Sequence, residues 1–527
     1  MSVPYTHLRV RYTQHQNVYG SRAGPALGTG YTAGCYRNGI RRCDPPSAGR
    51  QLGERGRDAP KKGNQKMHVS TRTVCLLLGL AVAFGVASRA ANADTQVEPT
   101  IALKMLNAQQ QQFGQQVVKV TDNVYTAVGF HGANTSMIVG TDGVIIIDTL
   151  KGPTSAAKAA EAFRKYSDKP VKAIIYTHSH GDHIGGASAF IGDERPDIYA
   201  TESFGSAEGV NKAVAPVKAK RNVRQFGRKL SPSESTNRGV APANTDDSDG
   251  GKGFLAPTVK VPDSGLKTTI AGVEIEFHIG PGETDDAMFI WLPQNQVLFA
   301  GDNFYSSFPN LYAIRGTAYR DVLSWSESVA KMAELKPHVL VPGHTMPIRG
   351  EQTATAVLND YSEAIRSVYD QTVRGINEGK SPDQLAHEVE LPKRLKDKPY
   401  LIEFYGSVPH AVRAIYAGLL GWFDGNPTTL SPLEPKLKAK HIAELAGGTQ
   451  ELTEQMEAAL AKQDYKWALE LSDYLKWLHD GDKKRARKVK IEALRGLAAR
   501  EYNAPNRNYY LSYANELESG QLSELWF

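Results

Sequence analysis

The sequence predicts an α/β domain of layered sheets followed by an all-helical domain. Three observations carry that expectation. Short β-rich runs alternate with helical stretches from Val118 to about Ile348, and helical periodicity takes over after Pro347. Within the first region, four metal-binding side chains crowd into six residues at the end of one buried strand.

Taken in order, the chain opens on 66 residues rich in Gly, Arg and Pro, with neither helical nor strand period. Met67 then begins a pattern with the parts of a secretory signal. His68 and Arg72 form a basic start, Val74 to Ser88 is apolar, and Ala91-Asn92-Ala93 offers small residues before Asp94. The apolar run of about 15 residues is shorter than the ~20 needed to cross a bilayer, which favours a cleavable signal over an N-terminal anchor. Such a signal belongs near the start of translation. Residues 1–66 therefore read as an over-extended or disordered segment, and the mature chain as periplasmic or secreted.

Cutting near Ala93 changes the charge. The full 527 residues carry 62 basic and 56 acidic side chains, a net of +6. Residues 1–93 hold 14 basic and 3 acidic, which leaves 48 and 53, a net of −5, for residues 94–527. Cys35, Cys43 and Cys75 all precede Asp94, so the mature chain has no disulfide, thiolate ligand or thiol nucleophile. It also has no basic stripe interleaved with aromatics, and nucleic-acid binding has no support.

Residues 94–117 are expected to form a helical lead-in. In the 118–350 domain, strands are expected at 124–130, 135–140, 143–149, 171–177, 273–279 and 295–302, with helices at 155–166 and 319–335. Their apolar runs mark central, buried strands. Residues 203–222 read as helical, and 229–257, rich in Ser, Asn, Asp and Gly, as a long loop that is either mobile or lies over a site. In residues 351–527 one long helix is expected from Thr353 to Glu378, with four or five more between Lys436 and Leu517. Trp422 and Phe423 read as a turn packed against the α/β domain. The helices could simply stabilise that domain, or provide a dimer surface, a pocket wall or weak contact with a membrane surface.

The sharpest signal is THSHGDHIGG at 177–186, which supplies His178, His180, Asp182 and His183. Imidazole and carboxylate suit zinc and related metals, and a catalytic site keeps one position for water. Its glycines suggest a tight loop that turns His178 and His180 to one metal and Asp182 and His183 to a second. Glu283 in a Pro-Gly-Glu-Thr turn, Asp302 after LFAG and His344 after VLVPG complete the set. Asp302 has two oxygens and suits a bridging place. One metal would take His178, His180, Glu283 and Asp302, and the other Asp182, His183, His344 and Asp302. Three carboxylates against two divalent ions leave positive charge to bind an anion and acidify water. Asp148, at the end of GVIIIDT, is placed to orient a ligand's second ring nitrogen. Asn134 and His131 either line the rim or play a structural part.

These motifs resemble the metallo-β-lactamase superfamily, whose fold is a four-layer αββα sandwich. Glu283, where most of that superfamily carries His, is similar to its alkylsulfatase branch. Residues 302–316, with Asn310 and Arg315 in an Asn-Leu-X-X-X-Arg-Gly pattern, resemble the same branch. So do 404–430 and 506–517, which are similar to its helical second domain. The branch's lipid-carrier-like third domain has no counterpart before Phe527.

The resemblance implies two zinc ions per subunit, hydrolysis of an alkyl sulfate by a water held between them, and a homodimer formed through the helical domain. Arg315 and Asn310 are the first candidates to bind the sulfate group, because Arg offers a planar fork of donors to an oxyanion. Tyr405 is similar to an active-site tyrosine, and His410 or the neighbourhood of His344 could protonate the leaving group. Another hydrolase on this scaffold (a β-lactamase, lactonase or phosphoesterase) and a non-enzymatic metal-bound scaffold are the alternatives.

Overall fold

Runs of Val, Ile and Phe build two stacked sheets in the computed structural model, which describes residues 100–206, 213–243 and 245–522. The signal-like segment and the residues before it lie outside the described residues. The first sheet takes its strands in chain order: β1 (Gln116–Lys119), β2 (Val124–Val128), β3 (Thr135–Val139), β4 (Val144–Ile147), β5 (Val171–Ile175), β6 (Asp197–Thr201) and β7 (Val259–Val261). Neighbours are antiparallel up to β4 and parallel from β4 to β7.

The second sheet holds β8 (Leu266–Ile270), β9 (Val273–Ile279), β10 (Met288–Leu292), β11 (Val297–Gly301), β12 (Val339–Pro342) and β13 (Ile348–Arg349), in the order β13-β12-β11-β10-β9-β8. Here β11 and β12 are parallel and the other neighbours antiparallel.

Between the sheets, Ile138, Ile147 and Ile175 meet Phe277, Ile290 and Phe299 in one core. The other faces are covered by helices. Ala156, Ala159 and Phe163 of Pro153–Arg164 pack on Met137, Ile146 and Ile174. Trp325, Val329 and Met332 of Val322–Glu334 pack on Phe289, Leu298 and Leu340. This is the expected αββα sandwich, and both faces of its central strands are buried, which is why those strands read as unbroken apolar runs. Each fully buried Leu, Ile or Phe contributes roughly 1.5–3 kcal/mol, so these layers hold most of the stability of this half.

The long helix Glu351–Asn377 buries Val357, Tyr361, Ile365 and Val368 in the same core as Val322–Glu334. A capping box at Ser381 and Gln384 starts the helix Pro382–Glu388, and Val408–Leu420 follows. Five more helices, Pro435–Ala446, Thr449–Ala461, Tyr465–Leu475, Lys483–Arg500 and Ala504–Glu518, enclose their own core of Leu452, Met456, Leu471, Leu475 and Leu517. The last of them returns to the first domain. Arg224 Nη2 lies 2.5 Å from Glu516 Oε2, and Asn508 Nδ2 donates to Asn237 O at 3.2 Å.

Two local expectations fail. Of the expected 203–222 helix, residues 203–206 form turns, 207–212 lie outside the described residues, and Ala215–Gln225 is helical, where Pro216 fixes the first turn. Trp422 is 73% exposed and stacks edge-on against Phe423, so this turn does not pack against the α/β domain. Among the described residues no helix is long and apolar enough to cross a membrane.

Candidate metal centre

The parallel strands β4, β5, β11 and β12 send their carboxyl ends to one edge of the sandwich, and the turns that leave them carry the metal-binding side chains. Backbone bonds join the sheets there: Met288 N donates to Thr177 O at 2.9 Å and Asn134 N to Gly343 O at 2.7 Å. Asp148 follows β4, His178 and His180 follow β5, Asp302 follows β11 and His344 follows β12. Asp182 and His183 lie in a single helical turn, Gly181–Ile184. Glu283 lies in the connection between β9 and β10.

Asp302 stands between two groups of donors. Its Oδ2 is 3.6 Å from His178 Nε2, and its Oδ1 is 3.3 Å from both His183 Nε2 and His344 Nε2. Ligand atoms of His178, His180 and Asp302 lie within 4.8 Å of one another, as do those of Asp182, His183 and His344. One carboxylate therefore offers an oxygen to each side. Glu283 flanks the first group, with Oε1 3.8 Å from His180 Nδ1 and 3.0 Å from Arg320 Nη2. A Cβ at position 343 would meet Asp302 Oδ1 at 2.3 Å, so glycine is what lets the His344 turn approach.

The outer ring nitrogens are already engaged. His183 Nδ1 is 2.7 Å from Asp148 Oδ2, and His344 Nδ1 is 2.8 Å from Gly132 O. His178 Nδ1 meets Thr177 Oγ1 at 3.0 Å, and that hydroxyl gives its own proton to Asp148 Oδ2 at 2.9 Å. In each case the acceptor takes the Nδ1 proton, so Nε2, the atom turned to Asp302, is the one left for a metal. Nε2 of His178 and His183 and Oδ1 of Asp302 are buried without a hydrogen-bond partner. Such orphans cost about 1–3 kcal/mol each, and divalent cations would satisfy them together. The donors present fit a binuclear metal site.

Charge follows the same division. Burial disfavours the charged forms of Asp302 and Asp182, but neighbouring His183 and His344 outweigh it and hold both carboxyls well below their usual range. Burial also opposes charge on His183, where Asp302 and Asp148 prevail and raise its pKa. For His178 and His180 burial wins and keeps the rings neutral, the form that binds metal.

A cavity of about 560 Å³ opens over this centre. Arg315 and Tyr405 line it, whereas His410 does not. Arg315 Nη1 is buried without a hydrogen-bond partner. Asn310 is buried behind the cavity wall, and its Nδ2 also lacks a partner. The 229–257 segment covers one side, where Arg238 and Asp247 reach the cavity. Asp247 is drawn down to about 2 because His131, Arg238 and Arg228 together overcome its burial. His131 thus meets Asp247, with Nε2 at 3.1 Å from Oδ1, and Asn134 holds the His344 turn by donating to Pro342 O and Thr345 O.

Sequence reasoning missed Arg320, Lys218, Arg238 and Asp247 in the cavity and Tyr305 behind it. Arg320 lies five residues past Arg315 in one segment, which was the available signal. Tyr305 lies three residues past Asp302, whereas Lys218 comes from the helix Ala215–Gln225 and Arg238 and Asp247 from the 229–257 segment.

The metallo-beta-lactamase superfamily profile matches residues 128–344, and the alkyl sulfatase dimerisation profile matches residues 381–520. A linear primary-alkylsulfatase of Pseudomonas sp. is 39% identical over 392 residues, covering 72% of this chain and 73% of that protein. This chain belongs to the alkylsulfatase branch of the metallo-β-lactamase superfamily. Within the branch, an alkyl/aryl-sulfatase of Saccharomyces cerevisiae is 31% identical over 415 residues, covering 76% of this chain and 64% of the yeast protein. A solved stereoselective inverting secondary alkylsulfatase from Pseudomonas sp. superposes with a TM-score of 0.73 at 29% identity, over 81% of this chain and 69% of its own. The chain spans 61 to 73% of the length of the curated alkylsulfatases it matches.

Proposed function

We propose that the protein hydrolyses alkyl sulfate esters to an alcohol and inorganic sulfate. The observation that carries this reading is the Asp302 carboxylate flanked by two donor groups, beneath a cavity that also holds Arg315. His178, His180, Glu283 and Asp302 would hold one zinc ion, and Asp182, His183, His344 and Asp302 the other. When bound, the two ions supply Lewis acidity at the ester and lower the pKa of water.

The chain's own residues do the rest. Asp148, Gly132 and Thr177 fix the ring orientation of His183, His344 and His178. The Arg315 guanidinium, its Nη1 free of other partners, offers a donor fork to the sulfate oxygens, and Tyr405 lines the same cavity. Val240, Ala241 and Phe226 give the cavity apolar wall where an alkyl chain can lie. The dimerisation profile over 381–520 supports a homodimer through the helical region. The signal-like segment supports export to the periplasm or beyond.

The test is sulfate release from dodecyl sulfate by the zinc-loaded protein, against a nitrocefin and a lactone control. No sulfate release with turnover of either control would replace this reading by another hydrolase of the superfamily. Reaction of a chiral secondary sulfate in isotope-labelled water then locates the broken bond: label in the alcohol means C–O cleavage, and label in sulfate means S–O cleavage.

A further inference from the structure

Both oxygens of Glu283 are engaged from behind by residues that also hold the backbone N–H and C=O of one residue, Asn310. Tyr305 Oη donates to Glu283 Oε2 at 3.2 Å and accepts from Asn310 N at 2.8 Å. Arg320 Nη2 forms an ion pair with Glu283 Oε1 at 3.0 Å without hydrogen-bond geometry, while Nη1 donates to Asn310 O at 2.5 Å. The two bridges run in parallel between the same two groups and close a ring.

Donor arithmetic supports the arrangement. A phenol has one proton and can accept, so Tyr305 can serve one carboxylate and one N–H only in this order. Arg320 can reach two acceptors at once because its guanidinium is a rigid fork, which a lysine ammonium is not. All four residues are buried, with Tyr305 at 0% and Arg320 at 4% exposure, and Arg320 rests over the Trp325 ring. Glu283 is also fixed through its backbone, where its N–H donates to Asn303 Oδ1 at 3.1 Å. These contacts tie the Glu283 carboxylate to the Asn310 segment from behind, so a shift of one is passed to the other.

We propose that Arg320 and Tyr305 are positioning residues that lock the Glu283 carboxylate to the Asn310 loop, so that filling the metal site orders the wall facing the sulfate group. This rests on Glu283 acting as a metal ligand, as in the function proposed above. Neither residue needs to touch substrate. The ring makes metal binding and loop order two faces of one equilibrium, and each stabilises the other by the same factor.

The experiment uses zinc alone as probe and needs no turnover. Zinc affinity is measured by competition with a chelating dye, and amide hydrogen exchange over residues 303–316 is followed with and without zinc. The variants are Tyr305→Phe, which removes one hydroxyl and keeps the ring shape, and Arg320→Lys, which keeps the charge and loses the fork. In the unaltered protein, zinc is expected to slow exchange in this loop at least tenfold. In each variant, zinc affinity falls by roughly ten- to a hundredfold and the zinc-dependent slowing is lost.

Unchanged zinc affinity in both folded variants would overturn the proposal, as would zinc-dependent slowing that survives in both. Glu283→Ala run alongside separates two failures. If that variant binds zinc as the unaltered protein does, Glu283 is no ligand and the ring falls with it. Absence of sulfate release would count only against the proposed reaction.

Discussion

Asp148 Oδ2 stands 2.7 Å from His183 Nδ1, and the same carboxylate accepts from Thr177 N and Thr177 Oγ1. With two donors and one ring already converging on it, Asp148 dictates which nitrogen of His183 keeps its proton. Asp148→Asn preserves size, and asparagine tolerates the positive φ of this position. Its amide NH₂ would face His183 Nδ1 and push the ring proton onto Nε2, the atom turned to Asp302. Zinc on the Asp182, His183 and His344 side is expected to weaken roughly ten- to a hundredfold while the melting temperature changes little. Chelator competition reads the first quantity, and unchanged zinc affinity would assign Asp148 to packing alone.

Asp302 offers one oxygen to His178 and the other to His183 and His344. Asp302→Ala is therefore expected to lose both zinc ions and all sulfate release. His344→Ala should lose the zinc of its own group first. Metal content per chain, measured by mass spectrometry of the intact protein, distinguishes the two. A fully active Asp302→Ala protein would remove the bridging assignment.

Which parts of this centre could be seen beforehand depended on chain distance. His178, His180, Asp182 and His183 crowd into one turn, Asp302 and His344 each follow a strand visible as an apolar run, and Glu283 follows the alternating strand VEIEFHI. The αββα order was legible for the same reason, since strands such as β4 and β5 are buried on both faces. By contrast β8, with its half-exposed LKTTI pattern, gives no such run. Arg320 and Tyr305 gain their roles only because β9, β11 and the loop after it meet in space. The expected helix over 203–222 takes in residues 203–206, which form turns, because propensity carries no signal for where a turn ends. Trp422 was assigned to packing by its hydrophobicity, and burial is not a property of one residue type.

Arg315 is held by its backbone N–H, which donates to Gln225 Oε1 at 2.8 Å, and its guanidinium lies over the Phe226 ring. Arg315→Ala should leave zinc content intact and lower kcat/KM by roughly 10- to 100-fold, mainly through KM, as expected for a charge-assisted contact worth about 1.5–3 kcal/mol. Loss of zinc together with activity would make Arg315 structural.

Asp360, on the long helix Glu351–Asn377, ties down the segment that follows. It takes bonds from Arg394 Nη1 and Tyr400 Oη, each at 2.6 Å, and lies 3.2 Å from Lys398 Nζ. Burial opposes its charge, but Tyr400, Arg394 and Lys398 outweigh it and lower its pKa. A carboxyl depressed on folding stabilises above its unfolded pKa of about 4, and that stability drains away as pH falls through the folded value. Asp360→Asn should cost roughly 1–2 kcal/mol at pH 7, with the gap to the unaltered protein narrowing below pH ~4. Urea melts across pH measure it, and a gap that does not change with pH would mean the charge is irrelevant.

Gly406 marks where the helical half presses on the sulfate side of the cavity. Its N–H donates to Phe308 O at 3.0 Å, and a Cβ there would meet Pro309 O at 1.9 Å and Phe308 O at 2.7 Å. Both contacts are with backbone, so no rotamer change can relieve them. Gly406→Ala must displace residues 308–310, and Asn310 with them. We expect a loss of about 1–3 kcal/mol in stability, typical of overpacking, and a rise in KM for alkyl sulfate of several-fold or more. Denaturant melts and steady-state kinetics on the same preparation test both. An unaltered KM in a folded, destabilised variant would show that the 308–310 backbone can move without consequence for the anion, and that Arg315 alone sets its binding.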